Sequence, residues 1–167
     1  MTMDIRLARV DSRLLHGQVA TVWTSTVTPN RILVVSDGVA QDKLRKTLIT
    51  QAAPAGVKAN VITVNKMIQI FQDPRFDVFK SLILTETVQD MVALVKGGVD
   101  LSRTGVNIGS LSYQDGMTML TDAIAVDQAA VDAIRYLHDD AHLDVYAQKV
   151  PADKKQDLSV LLTKKGL

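Results

Sequence analysis

Arg31-Ile-Leu-Val-Val35-Ser-Asp-Gly38, followed by Gln41 to Ala53, decides the fold class of this chain. The first part is a short apolar run rich in β-branched residues and closed by turn formers, as in a strand buried on both faces. In the second part Leu44, Leu48, Ile49 and Ala52 recur at helical spacing, and Pro54-Ala-Gly56 ends the pattern. A buried strand running directly into a helix is the repeating unit of a parallel sheet.

The alternation extends in both directions. Upstream, Ile5 to Val10 reads as a strand and Gly17 to Thr26 as a helix. Downstream come a strand at Lys58 to Thr63, a helix at Val64 to Gln72, a strand at Ser81 to Leu84 and a helix at Thr87 to Lys96. Gly105 to Ile108 and Ala123 to Val126 read as further strands, and Gln128 to His138 as a helix with Asp127 as its N-cap. Leu143 to Gln148 alternates in polarity, as an edge strand should. The tail after Pro151, with Lys154-Lys155 and Lys164-Lys165, reads as a solvated helix or a docking arm. Residues 1–167 are therefore expected to form one open, doubly wound α/β domain. Its sheet should be mainly parallel, of about seven strands, with helices on both faces.

Composition narrows the function. The net charge of +1 argues against a nucleic-acid groove, and the absence of cysteine excludes thiolate catalysis and Cys-ligated metal. No stretch approaches the roughly 18 apolar residues of a membrane helix, and the first residues lack a signal-peptide run. A soluble, cytoplasmic protein is expected.

In a doubly wound sheet, ligands sit outside the carboxyl ends of the strands. The loop after the first strand holds Arg9, Asp11, Arg13, His16, Gly17 and Gln18 within ten residues. A helix beginning near Gly17 would offer free backbone N–H groups and the positive end of its dipole to an anion. Arg13 can bind phosphate oxygens with its planar fork, Gly17 permits close backbone approach, and Gln18 can donate to a phosphoryl oxygen. His16 then stands as a nucleophile, with Asp11 as the partner that fixes one ring nitrogen. Arg9 fits two roles, phosphate ligand or partner of a carboxylate, and Asp11 fits a loop cap as well. Trp23 and Val19 read as core. His138 and His142 are spaced for a metal, but they flank a helix end, where a histidine cation is stabilising. No metal and no cofactor is called for.

The stretch Val10-Asp-Ser-Arg-Leu-Leu-His16-Gly-Gln-Val-Ala20, with Trp23 beyond it, resembles the IIB subunits of the mannose/fructose/sorbose family of the bacterial sugar phosphotransferase system. Val34 to Asp42, Ala52 to Val57, Val106 to Gly109 and Gln148 to Pro151 resemble further segments of that family, so the likeness runs nearly the whole length. The resemblance implies a phosphohistidine at His16, through Nδ1, with Arg13 as phosphate ligand and Asp11, Gly17 and Gln18 completing the loop. It implies a IIA phosphoryl donor and transfer to a sugar held by the membrane IIC and IID subunits. The sugar stays open among mannose, fructose, sorbose and N-acetylgalactosamine, and a homodimer is compatible with it. Ser12 stands where many members have an acidic residue, and Ser110 where a second glycine often follows. A phosphorylation-responsive regulator or a plain anion-binding module would use the same loop.

Overall fold

The computed structural model describes residues 2–17 and 19–167. Five parallel strands carry the apolar runs: β1 (Asp4–Asp11), β2 (Arg31–Val35), β3 (Lys58–Ile62), β4 (Lys80–Thr85) and β5 (Val106–Ser110). The short strands are β6 (Thr118–Met119), β7 (Ala125–Val126), β8 (Val145–Ala147) and β9 (Gln156–Asp157). The main sheet has seven strands in the order β3-β2-β4-β1-β5-β8-β9, with only β9 antiparallel to its neighbour.

β1, β2 and β4 send alternate side chains to two separate cores. On one face Leu7, Ile32, Val34, Leu82 and Leu84 pack beneath Val19 and Trp23 of the first helical segment. That segment is a wide π-helical turn (Val19–Trp23) running into α1 (Thr24–Val27), and Val39 of α2 (Asp37–Ala40) joins it. On the other face Ala8, Val10, Leu33, Ile83 and Ile108 meet α4 (Val64–Phe71), α5 (Val88–Lys96), α6 (Gln128–Arg135) and α7 (Leu158–Lys164). Short polar caps start these helices: Thr63, Thr87 and Asp127 each accept a backbone N–H three residues on.

The expected fold class holds, with three differences of membership. Ala123 to Val126 does not join the main sheet: β7 pairs with β6 in an antiparallel ribbon, tied to the end of β5 by a bridge between Leu111 and Ile124. β8 is not an edge, because β9 covers it; the alternation at Leu143 to Gln148 instead puts Tyr146 and Gln148 on a face that carries buried polar groups. The tail, expected as a solvated helix or a docking arm, forms a helix (Leu158–Lys164) that packs on the domain, with Leu158 and Leu162 fully buried.

A fourth difference concerns α3 (Lys43–Gln51), which has the expected spacing yet buries no residue. Leu44 and Leu48 face solvent, and it is Ile49 that leans on the core. Leu162→Ala should therefore lower the unfolding free energy by about 2–5 kcal/mol, whereas Leu44→Ala and Leu48→Ala should each change it by less than about 0.5 kcal/mol. Urea unfolding of the three variants separates the buried tail from the exposed stripe.

Candidate active site

β1 lies between β4 and β5, and the chain leaves it toward β2 while leaving β5 toward β8. The loops after β1 and β5 therefore part in opposite directions, which opens a crevice at their carboxyl ends. Arg9 and Asp11, two residues apart on β1, point into the same face at this place.

Both are buried completely, an arrangement that demands partners for every charge. Arg9 Nη1 donates to Asn107 Oδ1 at 2.6 Å and to the Gln148 carbonyl at 3.0 Å. Arg9 Nη2 donates to Asp11 Oδ2 and to the Lys149 carbonyl, each at 3.2 Å. The guanidinium also lies over the Trp23 ring, 5.1 Å from its centroid, and Trp23 Nε1 donates to the same Lys149 carbonyl at 2.9 Å. Burial pulls the Arg9 pKa down from its ordinary value, and the Asp11 charge beside it pulls the other way.

The strand register shows how such a large group fits. Arg9 pairs with Asn107 and Val10 with Ile108, but Asp11 pairs with Ser110, so Gly109 is the extra residue of an irregularity in β5. A Cβ on Gly109 would overlap the Arg9 guanidinium. Glycine is needed there for room.

From Asp11 the loop turns back on itself. Asp11 Oδ1 accepts the Arg13 backbone N–H at 3.0 Å, and the Asp11 carbonyl accepts the Leu14 N–H at 2.9 Å. Leu14 sits at φ 56°, in the left-handed region that a branched residue avoids, and its full burial beside Leu15 holds it there. The turn brings His16 under the aspartate: His16 Nε2 lies 3.1 Å from Asp11 Oδ2. A carboxylate can only accept, so Nε2 carries the hydrogen and Nδ1 keeps the lone pair. Among the described residues nothing hydrogen-bonds Nδ1.

Exposure rises along the chain of contacts. The side chain of Asp11 is 0% exposed, that of His16 19% and that of Arg13 56%, with Arg13 Nε 3.5 Å from Asp11 Oδ1. A cleft of about 410 Å³ opens beside them, lined by Arg9, Arg13, Gly109, Ser110, Ala123 and Lys149.

The structure thus brings together Arg9, Asp11, Arg13 and His16 of the expected site, with Gly17 exposed next to His16. Gln18, expected to donate to a phosphoryl oxygen, lies outside the described residues. Arg9 differs in detail from a free phosphate ligand, because its terminal N–H groups are committed to protein acceptors. Trp23 is core, as expected, and also a donor. Asn107, Gly109 and the 148–149 backbone, which the sequence places only in segments that resemble the family, are given no part in the site by it; a polar residue inside the apolar run Val106 to Ile108 is the signal that points to them. His138 pairs with its neighbour Asp139 at 2.7 Å, and among the described residues no three potential ligands cluster to hold a metal.

Comparisons with known proteins bear on the family and the fold. The family model for the "PTS system sorbose subfamily IIB component" matches residues 5–167. The mannose-specific EIIAB component of Escherichia coli (strain K12) is 41% identical over 162 residues, covering 97% of this chain. The chain spans only 49% of that relative's length. The sorbose-specific EIIB component of Lacticaseibacillus casei is 43% identical over 136 residues, covering 81% of this chain and 82% of its own. Among solved structures, the IIBSor domain of the sorbose permease from Klebsiella pneumoniae superposes with a TM-score of 0.92 at 31% identity, covering 97% of this chain and 98% of that one.

If the Gly109 gap is what admits Arg9, Gly109→Ala should destabilise the fold by about 1–3 kcal/mol through forced displacement of a packed group. Gly38→Ala, where an added Cβ meets nothing within 4 Å, should leave stability unchanged or raise it by up to about 1 kcal/mol. Denaturant titration of the pair checks the contrast.

Proposed function

Because the chain belongs to the sorbose subfamily of phosphotransferase-system IIB components, we propose that it is a phosphocarrier that accepts a phosphoryl group on His16 and passes it to a sugar. The observation that supports this most is the His16–Asp11 contact, which fixes one ring nitrogen and leaves the other with its lone pair.

The chemistry follows from that tautomer. His16 Nδ1 attacks the phosphorus of a phosphorylated IIA protein; the new N–P bond forms as the bond to the donor breaks, and the bonding pair departs with the donor atom. The Nε2 proton stays where it is. Asp11 offsets the positive charge that the ring gains, so no proton has to move during the step. In the second half a sugar hydroxyl oxygen attacks the same phosphorus, the N–P pair returns to Nδ1, and the hydroxyl proton passes to solvent. Arg13, half exposed and next to Asp11, binds the phosphoryl oxygens in both halves. Arg9 acts from behind: it holds Asp11 in place and does not meet the phosphate directly. Gly17, with open space around it, lets the backbone approach the group.

The sugar is held by membrane IIC and IID subunits, and the carrier works at their cytoplasmic face. No helix among the described residues is long and apolar enough to cross a membrane. The named relatives are specific for mannose and for sorbose, and a hexose of that kind is the substrate class we assign.

Incubation with a phosphorylated cognate IIA protein should add one acid-labile, base-stable phosphate, and His16→Ala should abolish it. Retained labelling in that variant, or none in the wild type, overturns the reading. Arg13→Ala should slow transfer by about 10²-fold, the usual scale for one lost charge-stabilising donor, without changing the circular dichroism spectrum.

A further inference from the structure

Lys149 enters the site twice. Its carbonyl accepts hydrogen bonds from Arg9 and Trp23, which pins its backbone beside the buried guanidinium. Lys149 also lines the cleft that Arg13 lines. The ammonium group pairs with Asp122 at 2.9 Å, in the loop between β6 and β7. That pair is loose, with the lysine side chain 49% and the aspartate 80% exposed. Ion pairs this exposed are held weakly and exchange partners readily.

A phosphoryl group presents three acceptor oxygens, and the fork of Arg13 meets two of them. Arg9 has no terminal N–H left to offer. Among the described residues that line the cleft, the remaining cation is Lys149. We propose that Lys149 is a further phosphoryl ligand, parked on Asp122 while His16 is bare and drawn to the third oxygen when the phosphoryl group arrives. The exchange is downhill in charge: a phosphoryl group carries roughly −1.5 to −2 charges at neutral pH, against one on a carboxylate that is mostly in water. A flexible four-carbon stem on a fixed backbone suits a group that must make and release this contact in every cycle.

The inference rests on the phosphocarrier reading, and the experiment separates the two. Wild type, Lys149→Met, Lys149→Arg and Asp122→Ala are phosphorylated by the IIA donor, and transfer is followed by quenched-flow labelling. The phosphohistidine is then titrated by ³¹P NMR. Lys149→Met should slow transfer about tenfold, as expected for a lost charge-assisted contact, and Lys149→Arg should restore most of the rate. Asp122→Ala frees the ammonium group and should speed transfer about two- to threefold. In the titration, loss of the cation in Lys149→Met should raise the ionisation midpoint of the phosphoryl group by about one pH unit, a shift that a merely structural role does not produce. Equal slowing by Lys149→Met and Asp122→Ala would make the pair a structural tie and overturn the proposal, as would an unmoved titration midpoint. Wild-type protein that takes no label from a cognate donor overturns the phosphocarrier reading itself, and this inference with it.

Discussion

A buried ion pair governs the arrangement around His16. Arg9 and Asp11 are withdrawn from water at the centre of the sheet, where an uncompensated charge would be costly. Their attraction offsets the loss of hydration only because further groups complete it: Asn107, two backbone carbonyls and the face of Trp23 for the cation, the Arg13 amide and the His16 ring for the anion. Of the polar side-chain atoms of this pair, Arg9 Nε has no hydrogen-bond partner among the described residues. These partners come from four separate parts of the chain: the loop after β1, the turn at Trp23, β5 and the segment after β8. The pair therefore ties β1 to β5, to the segment after β8 and to the first helical turn, and the site's geometry is inherited from that tie.

The topology makes the tie necessary. Where loops leave neighbouring strands in opposite directions, the crevice between them has no covering helix, and polar groups from both strands meet there. A wholly apolar floor would leave no way to orient an imidazole. A floor of one cation and one anion, each held by several partners, gives a rigid acceptor at a fixed position, and His16 needs only to reach it. The positive φ of Leu14 belongs to the same economy of space: the chain must reverse within three residues, and burial of Leu14 and Leu15 compensates for the backbone conformation.

How much of this was legible in the sequence depended on whether the determining contacts were local. Arg31 to Val35 was readable to the residue, because a strand buried on both faces shows as an unbroken apolar run. Leu44 and Leu48 misdirect: helical spacing establishes the helix, but which face is covered depends on where α3 lies over the β3 side of the sheet. β9 is two residues long and has no periodicity to read. At the site, His16, Arg13 and Asp11 were visible because loop chemistry concentrates in few residues and matches a known pattern. The supports were not. Asn107 and Lys149 lie 98 and 140 residues from Arg9, and only pairing of strands brings them to it. The role of Arg9 was open between phosphate ligand and carboxylate partner, and burial is what favours the second.

The gradient from buried to exposed suits a carrier better than a receptor. A protein that only captured phosphate would gain from fixed, desolvated cations, since buried charge pairs hold tightly once formed. A carrier must release what it takes, so tight ground-state binding would work against the second transfer. Here the fixed cation, Arg9, is neutralised by Asp11 and turned toward the histidine's orientation, while the cations at the cleft rim, Arg13 and Lys149, are half in water and loosely paired. Under the proposed phosphocarrier function, rigidity is placed on His16 and looseness on Arg13 and Lys149, the cations proposed to meet the group it carries. Mobile cations of this kind can follow a phosphoryl group from one partner to the next without holding it at either end of the transfer.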